Sequence, residues 1–254
     1  MDLIYAFLLG IVEGLAEFLP VSSTGHLILT SRLLGIEQSE AHKSFEIIIQ
    51  LGSICAVIAL YYKKLIGDFN MIAKLAVAFL PVGAIGFLFG KQIKSLFAVE
   101  TVAYALIVGG VILIAIELFY KPKTERIESV DRVSYKQAFL IGCAQCFSMI
   151  PGASRSAATI IGGLLCGLDR QTAALFSFLL AVPTMLIATG YTLVTNYDSF
   201  SADQTINLAI GFVTAFLVAL IVIKTFMRFI SRFNFIPFGV YRIAVGAIFL
   251  FIVA

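Results

Sequence analysis

The sequence predicts an all-α, polytopic membrane protein with two inverted repeats, each a re-entrant helix–loop–helix hairpin followed by three transmembrane helices. Three observations predict this fold class. The 254 residues are 60% hydrophobic and 13% charged, with a mean hydropathy of +1.02, whereas soluble domains carry about 25% charged residues. Long apolar runs recur from one end of the chain to the other. Two further apolar stretches are interrupted by Pro, Gly and Ser at corresponding places in the two halves.

Six uninterrupted runs are predicted to cross the bilayer, because each approaches the ~20 apolar residues that span its hydrocarbon core. In chain order they lie at about 45–62, 71–90, 99–119, 172–193, 205–223 and 238–254. Runs spread along the whole chain leave no room for a sizeable water-soluble domain. The prediction is therefore a single transmembrane domain over 1–254.

The interrupted stretches, 3–35 and 135–168, are predicted to enter the membrane and return. The piece after the first interruption, about 24–34, would reach only ~16 Å as a helix, which is too short to cross. Irregular backbone at this depth is tolerated where protein or a water-filled cavity covers it. Each stretch is therefore expected to form a helix–break–helix hairpin inside the protein.

The two halves of the chain carry a weak internal similarity, which we interpret as a duplication. A shift of 131 residues places Pro20 on Pro151 and Ser23 on Ser154, and "YALIVGG" near residue 104 resembles "YRIAVGA" near residue 241. Three crossings per half is an odd number, so the second repeat is expected to be inverted relative to the first. Basic residues concentrate in the loops of one side, which the positive-inside rule assigns to the cytoplasm. The predicted parts are a first repeat, a cytoplasmic loop and a second repeat, at about 1–120, 121–134 and 135–254.

The motif "EGLAEFLPVSSTGH" places two acids inside the first hairpin. Glu13 and Glu17 are four residues apart and therefore share one helical face. An acidic residue at the centre of a membrane helix costs roughly 3 kcal/mol on insertion scales, so neither side chain is expected to face lipid. The pair should face protein, water or a cation; hydrogen bonds from protonated carboxyls to a neighbouring helix are the structural alternative.

Hydroxyl groups and a histidine follow at the predicted start of the next helix. Ser22, Ser23 and Thr24 exceed the one side chain that a helix cap needs, and the free amides of a helix start form an anion site. His26 titrates near neutral pH and could act in catalysis, or it could only form a packing hydrogen bond between helices.

The motif "PGASRSAAT" repeats this arrangement in the second hairpin, with Ser154, Arg155 and Ser156 at a helix start. Arg155 has no carboxylate within one turn, so its partner must come from elsewhere. A guanidinium beside free helix amides suits a phosphate; a salt bridge to Glu13 or Glu17 is the alternative. Both interpretations bring the two hairpins into contact.

The combined set of side chains indicates phosphoryl transfer on an amphiphilic substrate. Carboxylates without a cysteine or several histidines favour a hard cation, Mg²⁺ or Ca²⁺, which Glu13 and Glu17 would bind. A hydroxyl and an imidazole supply a nucleophile, or a positioned water, with an acid–base partner. Gln145 stands in the second hairpin near the place that Glu13 takes in the first.

The net charge of the chain is +3. In a membrane protein, basic residues reflect the orientation of the chain across the bilayer, so no nucleic-acid partner is expected.

At these residues the chain resembles the bacterial undecaprenyl-diphosphatase family of the bacitracin-resistance type. The family motifs (E/Q)GxxEFLPVSSTGH and PGxSRSxxT match "EGLAEFLPVSSTGH" and "PGASRSAAT", and "FEIIIQLGS" at 45–53 extends the similarity. The resemblance implies a multi-pass enzyme of the bacterial inner membrane that removes the terminal phosphate of undecaprenyl diphosphate. The product, undecaprenyl phosphate, is the lipid carrier for peptidoglycan and other envelope polymers. A divalent cation, Mg²⁺ or Ca²⁺, is also implied.

The resemblance also implies roles for individual residues. Glu13 and Glu17 would handle metal or water, Ser23 or His26 would be the nucleophile or base, and Arg155 would bind the diphosphate. Two interpretations stay open: Ser23 activated by His26, or a water activated by a carboxylate. The other expected substrate-binding residues are Ser22, Thr24, Ser154, Ser156, Thr159 and Gln145.

Two other function classes fit these residues less well than hydrolysis does. A transporter or flippase of polyprenyl phosphate would share the inverted repeats and broken helices, but an anion carrier gains nothing from two unshielded carboxylates. A ligand-free scaffold would not need them either. A further lipid-phosphatase class, the acid-phosphatase type, requires a histidine after the arginine that "SRSAATIIGG" lacks. The sequence leaves a homodimer open, since the glycine-rich stretches 83–90 and 109–110 could pack closely.

Overall fold

The computed structural model describes residues 2–37, 39–94, 99–120, 126–195 and 205–253. These residues are helical almost throughout, and their only strand-like feature is one β-bridge between Ile127 and Leu168. The fold class is therefore all-α, as predicted. The helices are α1 Leu3–Ala16, α2 Ser23–Leu33, α3 Glu40–Ile66, α4 Phe69–Lys94, α5 Val99–Phe119, α6 Tyr135–Gln145, α7 Arg155–Leu165, α8 Arg170–Thr195, α9 Thr205–Ile230 and α10 Ile236–Val253.

Within the described residues, five helices are long and apolar enough to cross a membrane, namely α3, α4, α5, α8 and α9. They coincide with five of the six predicted spans, so the chain is a multi-pass membrane protein. The sixth, α10, ranks among the shorter apolar helices; its 18 residues reach about 27 Å at 1.5 Å per residue.

Both interrupted stretches form the predicted helix–break–helix hairpins. In the first, α1 ends at Ala16 and α2 begins at Ser23; in the second, α6 leads into a short 3₁₀ turn, Cys146–Met149, and α7 begins at Arg155. The returning helices α2 and α7 have 11 residues each. Each therefore reaches only about 16 Å, too little to cross the hydrocarbon core.

The backbone shows how the two breaks correspond. Ser22 and Ser154 are the N-caps of α2 and α7, and they are the only non-glycine residues of the described chain with positive φ, 72° and 75°. Each serine hydroxyl accepts the amide hydrogen three residues later. Ser22 thus matches Ser154, so the predicted pairing of Ser23 with Ser154 is wrong by one residue. The second break has one more residue between its proline and its cap.

The helices of the two halves interleave. Helix α1 packs on α9 while α6 packs on α4, and α5 crosses α10. Glycines allow the backbones to approach: a Cβ at Gly10 would collide with Gly211 on α9, and one at Gly142 would collide with Ala78 on α4. The matching contacts are what a duplication would produce, and they bring both hairpins into the centre of the bundle. The glycines at 109 and 110 face Arg242 and Gly239 of α10, so within one chain they serve the α5–α10 crossing.

Ion pairs fasten the connection between the halves. Of the loop predicted at 121–134, residues 121–125 lie outside the described residues. In the remainder, Lys64 contacts both carboxylate oxygens of Asp131 at 2.5 and 2.6 Å. Glu117 at the end of α5 receives two hydrogen bonds from Arg170, at 2.8 and 2.6 Å.

Candidate active site

The two helix breaks meet at a cavity of about 350 Å³. Its polar wall includes six of the residues singled out from the sequence: Glu17, Ser22, Ser23, Thr24, Ser154 and Arg155. The remaining wall includes apolar side chains and glycines of α4, such as Val82, Gly86 and Gly90, and the segment 148–152. A concave site with few convergent polar groups and an apolar flank suits an amphiphilic ligand.

Glu17 is the centre of the polar wall. Its Oε2 accepts a hydrogen bond from the Ser23 hydroxyl at 2.5 Å, and its Oε1 accepts one from Nη2 of Arg155 at 2.9 Å. The Glu17 and Arg155 side chains are 4% and 10% exposed, so this is a buried ion pair. The predicted meeting of the two hairpins is confirmed by this contact, which takes the form of the salt bridge weighed as an alternative.

Arg155 is held from three directions and keeps one donor free. Nη1 donates to the carbonyl of Ser177 at 2.9 Å and contacts its hydroxyl at 3.3 Å, while the guanidinium carbon lies 5.9 Å from the centroid of the Phe18 ring. Thr159 supports this arrangement, because its hydroxyl donates to that of Ser177 at 2.7 Å. Nε of Arg155 is buried and has no partner in the described part of the chain. This unpartnered donor is suited to an oxyanion.

The starts of α2 and α7 both open on the cavity. Ser154 and Ser156 form a hydroxyl pair at 3.0 Å, and Ser156 donates across to the Leu19 carbonyl of the other hairpin at 2.6 Å. Each helix start presents backbone amides and the positive end of its dipole. Two such ends facing one cavity favour a ligand with more than one negative charge.

Glu13 lies behind this wall rather than in it. It is fully buried, and both of its carboxylate oxygens lack a hydrogen-bond partner among the described residues. Glu17 and the unpartnered hydroxyl of Ser53 are its neighbours. Unpartnered buried carboxylate oxygens beside a second acid fit a hard cation. The described residues contain no group of three or more His, Cys, Asp or Glu placed to hold a metal, so an ion would need phosphate oxygens and water as well, as Mg²⁺ commonly does.

The side chain of His26 makes no hydrogen bond to Ser23 among the described residues. Its Nδ1 lies 2.8 Å from the carbonyl of Ser22 and its Nε2 lies 2.8 Å from the hydroxyl of Tyr241, whose ring stacks on the imidazole. A carbonyl only accepts, so Nδ1 carries a proton, and in the neutral imidazole Nε2 accepts from Tyr241. His26 is also absent from the cavity wall. The geometry therefore provides Ser23 with a carboxylate as its partner.

Gln145, the last residue of α6 in the second hairpin, is fully buried. Its Oε1 accepts a hydrogen bond from Thr184 at 3.4 Å, and its Nε2 has no partner in the described chain. Thr184 lines the cavity, whereas Gln145 does not. The role of Gln145 in substrate binding stays a prediction, and its hydrogen bond to Thr184 is what links it to the cavity wall.

Sequence reasoning missed four residues of this region: Gln50, Ser177, Thr184 and Arg242. The first and third line the cavity, and Ser177 holds Arg155. Arg242 is fully buried in α10 and bonds to both helix breaks. A detectable signal existed for Arg242, because a lone arginine within an apolar span is by default a functional candidate. The other three are ordinary polar residues that only packing distinguishes.

Comparison with known proteins gives full-length matches. Residues 6–248 match the family described as bacitracin resistance protein BacA. A protein of Wolinella succinogenes named undecaprenyl-diphosphatase is 58% identical over 251 residues, which cover 99% of this chain and 98% of that protein. Proteins of the same name from Persephonella marina and Campylobacter jejuni are 56% and 54% identical, covering 100% and 99% of this chain and 100% and 95% of their own lengths.

Proposed function

The chain belongs to the family of the bacitracin resistance protein BacA, and we propose on that premise that it hydrolyses undecaprenyl diphosphate to undecaprenyl phosphate and inorganic phosphate. Its similarity to proteins named undecaprenyl-diphosphatase extends over the full length. The enzyme is an integral membrane lipid diphosphatase. Its product returns a lipid carrier to envelope polymer synthesis, and removal of the diphosphate form is the basis of bacitracin resistance in this family. The names of these relatives indicate hydrolysis and do not favour transport.

One observation carries the assignment of the site: Glu17 joins a hydroxyl of one hairpin to a guanidinium of the other, inside a cavity that two helix starts face. The amides of those helix starts and the free Nε of Arg155 would bind phosphate oxygens. The apolar flank along α4 would accept the beginning of the polyprenyl tail. A cavity of about 350 Å³ is at the small end for ligand sites, so most of a 55-carbon chain would stay in lipid.

We infer that Ser23 is the nucleophile and Glu17 its base. The Ser23 oxygen would attack the terminal phosphorus as Glu17 takes its proton, and the bond from that phosphorus to the bridging oxygen would break. Glu17 would pass the proton to that bridging oxygen as undecaprenyl phosphate leaves, which restores the carboxylate. Water would then hydrolyse the phosphoserine, again with Glu17 as base, and free inorganic phosphate would leave. Arg155 would neutralise charge that develops on the transferred phosphoryl group. We make this assignment because the Ser23 hydroxyl donates to Glu17 at 2.5 Å, and because His26 makes no hydrogen bond to Ser23 among the described residues.

We propose Mg²⁺ or Ca²⁺ as the cofactor, bound by Glu13 and Glu17. When bound, the ion would neutralise diphosphate charge and polarise its oxygens. Glu13 suits this role because its oxygens are buried and unpartnered in the described chain. Glu17 would share its carboxylate between the ion, Ser23 and Arg155. We propose the bacterial inner membrane as the location and a homodimer as the assembly.

The function is tested by phosphate release from undecaprenyl diphosphate with purified protein in detergent. Release that stops with a chelator and returns with Mg²⁺ or Ca²⁺ supports both the activity and the ion. No release above the level of an Arg155→Ala variant, with either ion present, contradicts the proposed function.

The nucleophile is tested separately with substrate that carries radioactive terminal phosphate. Acid quenching within one turnover should trap label on the protein, and Ser23→Ala should abolish it. Full turnover without trapped label, together with residual activity in Ser23→Ala, would support a water nucleophile instead.

A further inference from the structure

We propose that Arg242 of α10 is a positioning residue for the proposed hydrolysis: it holds the two helix breaks together so that both helix starts face one diphosphate. The inference rests on the proposed function, because positioning is defined here by the reaction that it serves. It concerns a residue outside both sequence motifs and outside the cavity wall.

Arg242 is a fully buried cation whose described hydrogen bonds all go to backbone carbonyls. Nη1 donates to Pro20 at 3.1 Å and Nη2 donates to Gly152 at 3.0 Å. Nη2 and Nε also donate to Ala105 and Leu106 of α5, at 3.0 and 3.3 Å. A side chain of this kind costs several kcal/mol to bury, and a planar fork of donors is the group that can satisfy several carbonyls at fixed angles. The arginine thus ties three segments of the chain at one point.

The carbonyls of Pro20 and Gly152 occupy equivalent positions in the two hairpins. Pro20 precedes the cap Ser22 by two residues, and Gly152 precedes the cap Ser154 by two residues. One guanidinium therefore grips the same position in both halves, through neighbouring nitrogen atoms. Any displacement of Arg242 would move both helix starts, and with them the groups that line the cavity.

The same symmetry explains why the chain carries one such arginine rather than two. When the motifs "YALIVGG" and "YRIAVGA" are aligned, Ala105 of α5 is the equivalent of Arg242 of α10. Nη2 of Arg242 donates a hydrogen bond to the carbonyl of Ala105 itself. The guanidinium therefore lies where the two matching helices cross. Gly109 provides the space, because a Cβ there would collide with Nη2 of Arg242. A second arginine at position 105 would place two cations in one slot.

Because Arg242 bonds to both helix breaks, we expect its loss to lower kcat. The loss of a hydrogen bond that stabilises only one part of the fold would lower stability and leave kcat unchanged. The groups that contact the diphosphate remain in the protein when Arg242 is changed, but their mutual alignment is lost. Misplacement of reacting groups by 1 Å can cost about 100-fold in rate. We therefore expect kcat to fall by about 100-fold in Arg242→Met, with a much smaller change in KM. Arg242→Lys retains the charge, but a point-like ammonium cannot keep the fork geometry, so kcat should stay at least about tenfold below wild type.

The test compares these variants with matched controls in phosphate release and in thermal unfolding. Arg170→Met removes another arginine, one that is bonded to Glu117 outside the cavity; it should lower stability and leave kcat unchanged. Gly109→Ala leaves Arg242 in the chain but displaces its guanidinium, and it should lower kcat by at least about tenfold, since alignment is lost. Gly190→Ala is its control, because nothing lies within 4 Å of a Cβ at that position.

The outcomes separate the inference from the proposed function. A wild-type protein that releases no phosphate contradicts the function. An active wild type with folded Arg242→Met and Gly109→Ala variants at wild-type kcat overturns the positioning role. The role is also overturned if activity in Arg242→Met falls only in proportion to the folded fraction, as in Arg170→Met. Should Arg242→Met not fold, wild-type kcat in both Arg242→Lys and Gly109→Ala would overturn it.

Discussion

Replacing Glu17 by glutamine removes one negative charge at the point where the two hairpins join. The carboxylate accepts one hydrogen bond on each oxygen, from Ser23 and from Arg155. Glutamine has one amide oxygen and one NH₂ group, which only donates. The variant can keep the Arg155 contact through its amide oxygen, but its NH₂ can only donate to the Ser23 hydroxyl, which reverses that hydrogen bond. It loses the charge of the ion pair, and it has no base for the Ser23 proton.

The size of the effect follows from the two roles of Glu17. A positioned general base contributes about 10²–10⁴-fold, which corresponds to about 3–5 kcal/mol of transition-state stabilisation at 1.36 kcal/mol per tenfold. Removing one partner of a buried ion pair costs about 3–5 kcal/mol of folding stability. We therefore expect kcat/KM to fall by at least about 100-fold and the protein to unfold at a lower temperature.

A matched glutamate separates these two effects. Glu117 is 5% exposed, against 4% for Glu17, and also pairs with an arginine; it accepts a further hydrogen bond from the Phe235 amide at 3.0 Å. Arg170 is more exposed than Arg155, at 34% against 10%, so its pair is better screened by solvent. Glu117→Gln should therefore also lower stability while keeping its kcat/KM. Phosphate release from a soluble farnesyl diphosphate measures activity. The chain contains no tryptophan and four cysteines, so unfolding is followed with a thiol-reactive dye.

Wild-type kcat/KM in a folded Glu17→Gln variant would refute the reasoning, because it would show that neither the charge nor the Ser23 contact serves the reaction. Equal losses of activity in Glu17→Gln and Glu117→Gln would refute it as well, since stability alone would then explain both.

Four further outcomes are expected. Arg155→Lys should lower kcat/KM by about 100-fold or more, as one contact to developing charge is worth 10²–10³, in the same phosphate-release assay. Glu13→Gln should raise the Mg²⁺ concentration needed for half-maximal activity, measured by titration after chelation. His26→Gln should cost less than about tenfold, well below the effect of losing a general base, and leave the pH profile of kcat unchanged, because the imidazole bonds outside the cavity. The hydrogen bond from Lys64 holds the pKa of Asp131 below its usual range, so this pair stabilises above about pH 4 and its contribution fades as pH falls through the lowered pKa. At 36% and 52% exposure it is worth about 0.2–1 kcal/mol, and Lys64→Met should lower Tm slightly at pH 7 but not at acidic pH.

The parts of the fold that the sequence predicts are those with local signals. Proline, glycine and consecutive hydroxyls mark both breaks, and α2 and α7 begin within one residue of the expected positions. The length of each apolar run likewise predicts where a membrane-spanning helix lies. The off-by-one match between Ser23 and Ser154 arose because the shift was fixed on the prolines, whereas the structural correspondence follows the caps.

Contacts between distant segments were less predictable, since they depend on how the spans rotate and slide against each other. Ser177 and Thr184 lie in a helix whose apolar pattern gives no reason to single them out. His26 shows the same limit at short range: it is three residues from Ser23, yet the serine turns back to Glu17 while the imidazole bonds to the Ser22 carbonyl and to Tyr241. Only the turn at the break decides between these arrangements.

The correspondence between the caps also explains how a symmetric scaffold supports an asymmetric reaction. The residue after each cap is Ser23 in one hairpin and Arg155 in the other, so equivalent positions hold the proposed nucleophile and the proposed phosphate ligand. Two copies of the acid-bearing hairpin would place four carboxylates around a diphosphate and repel it. Two copies of the arginine-bearing hairpin would bind the anion but provide no base. The duplicated fold thus provides paired helix starts, and the difference between the two hairpins provides the charge separation that phosphoryl transfer requires.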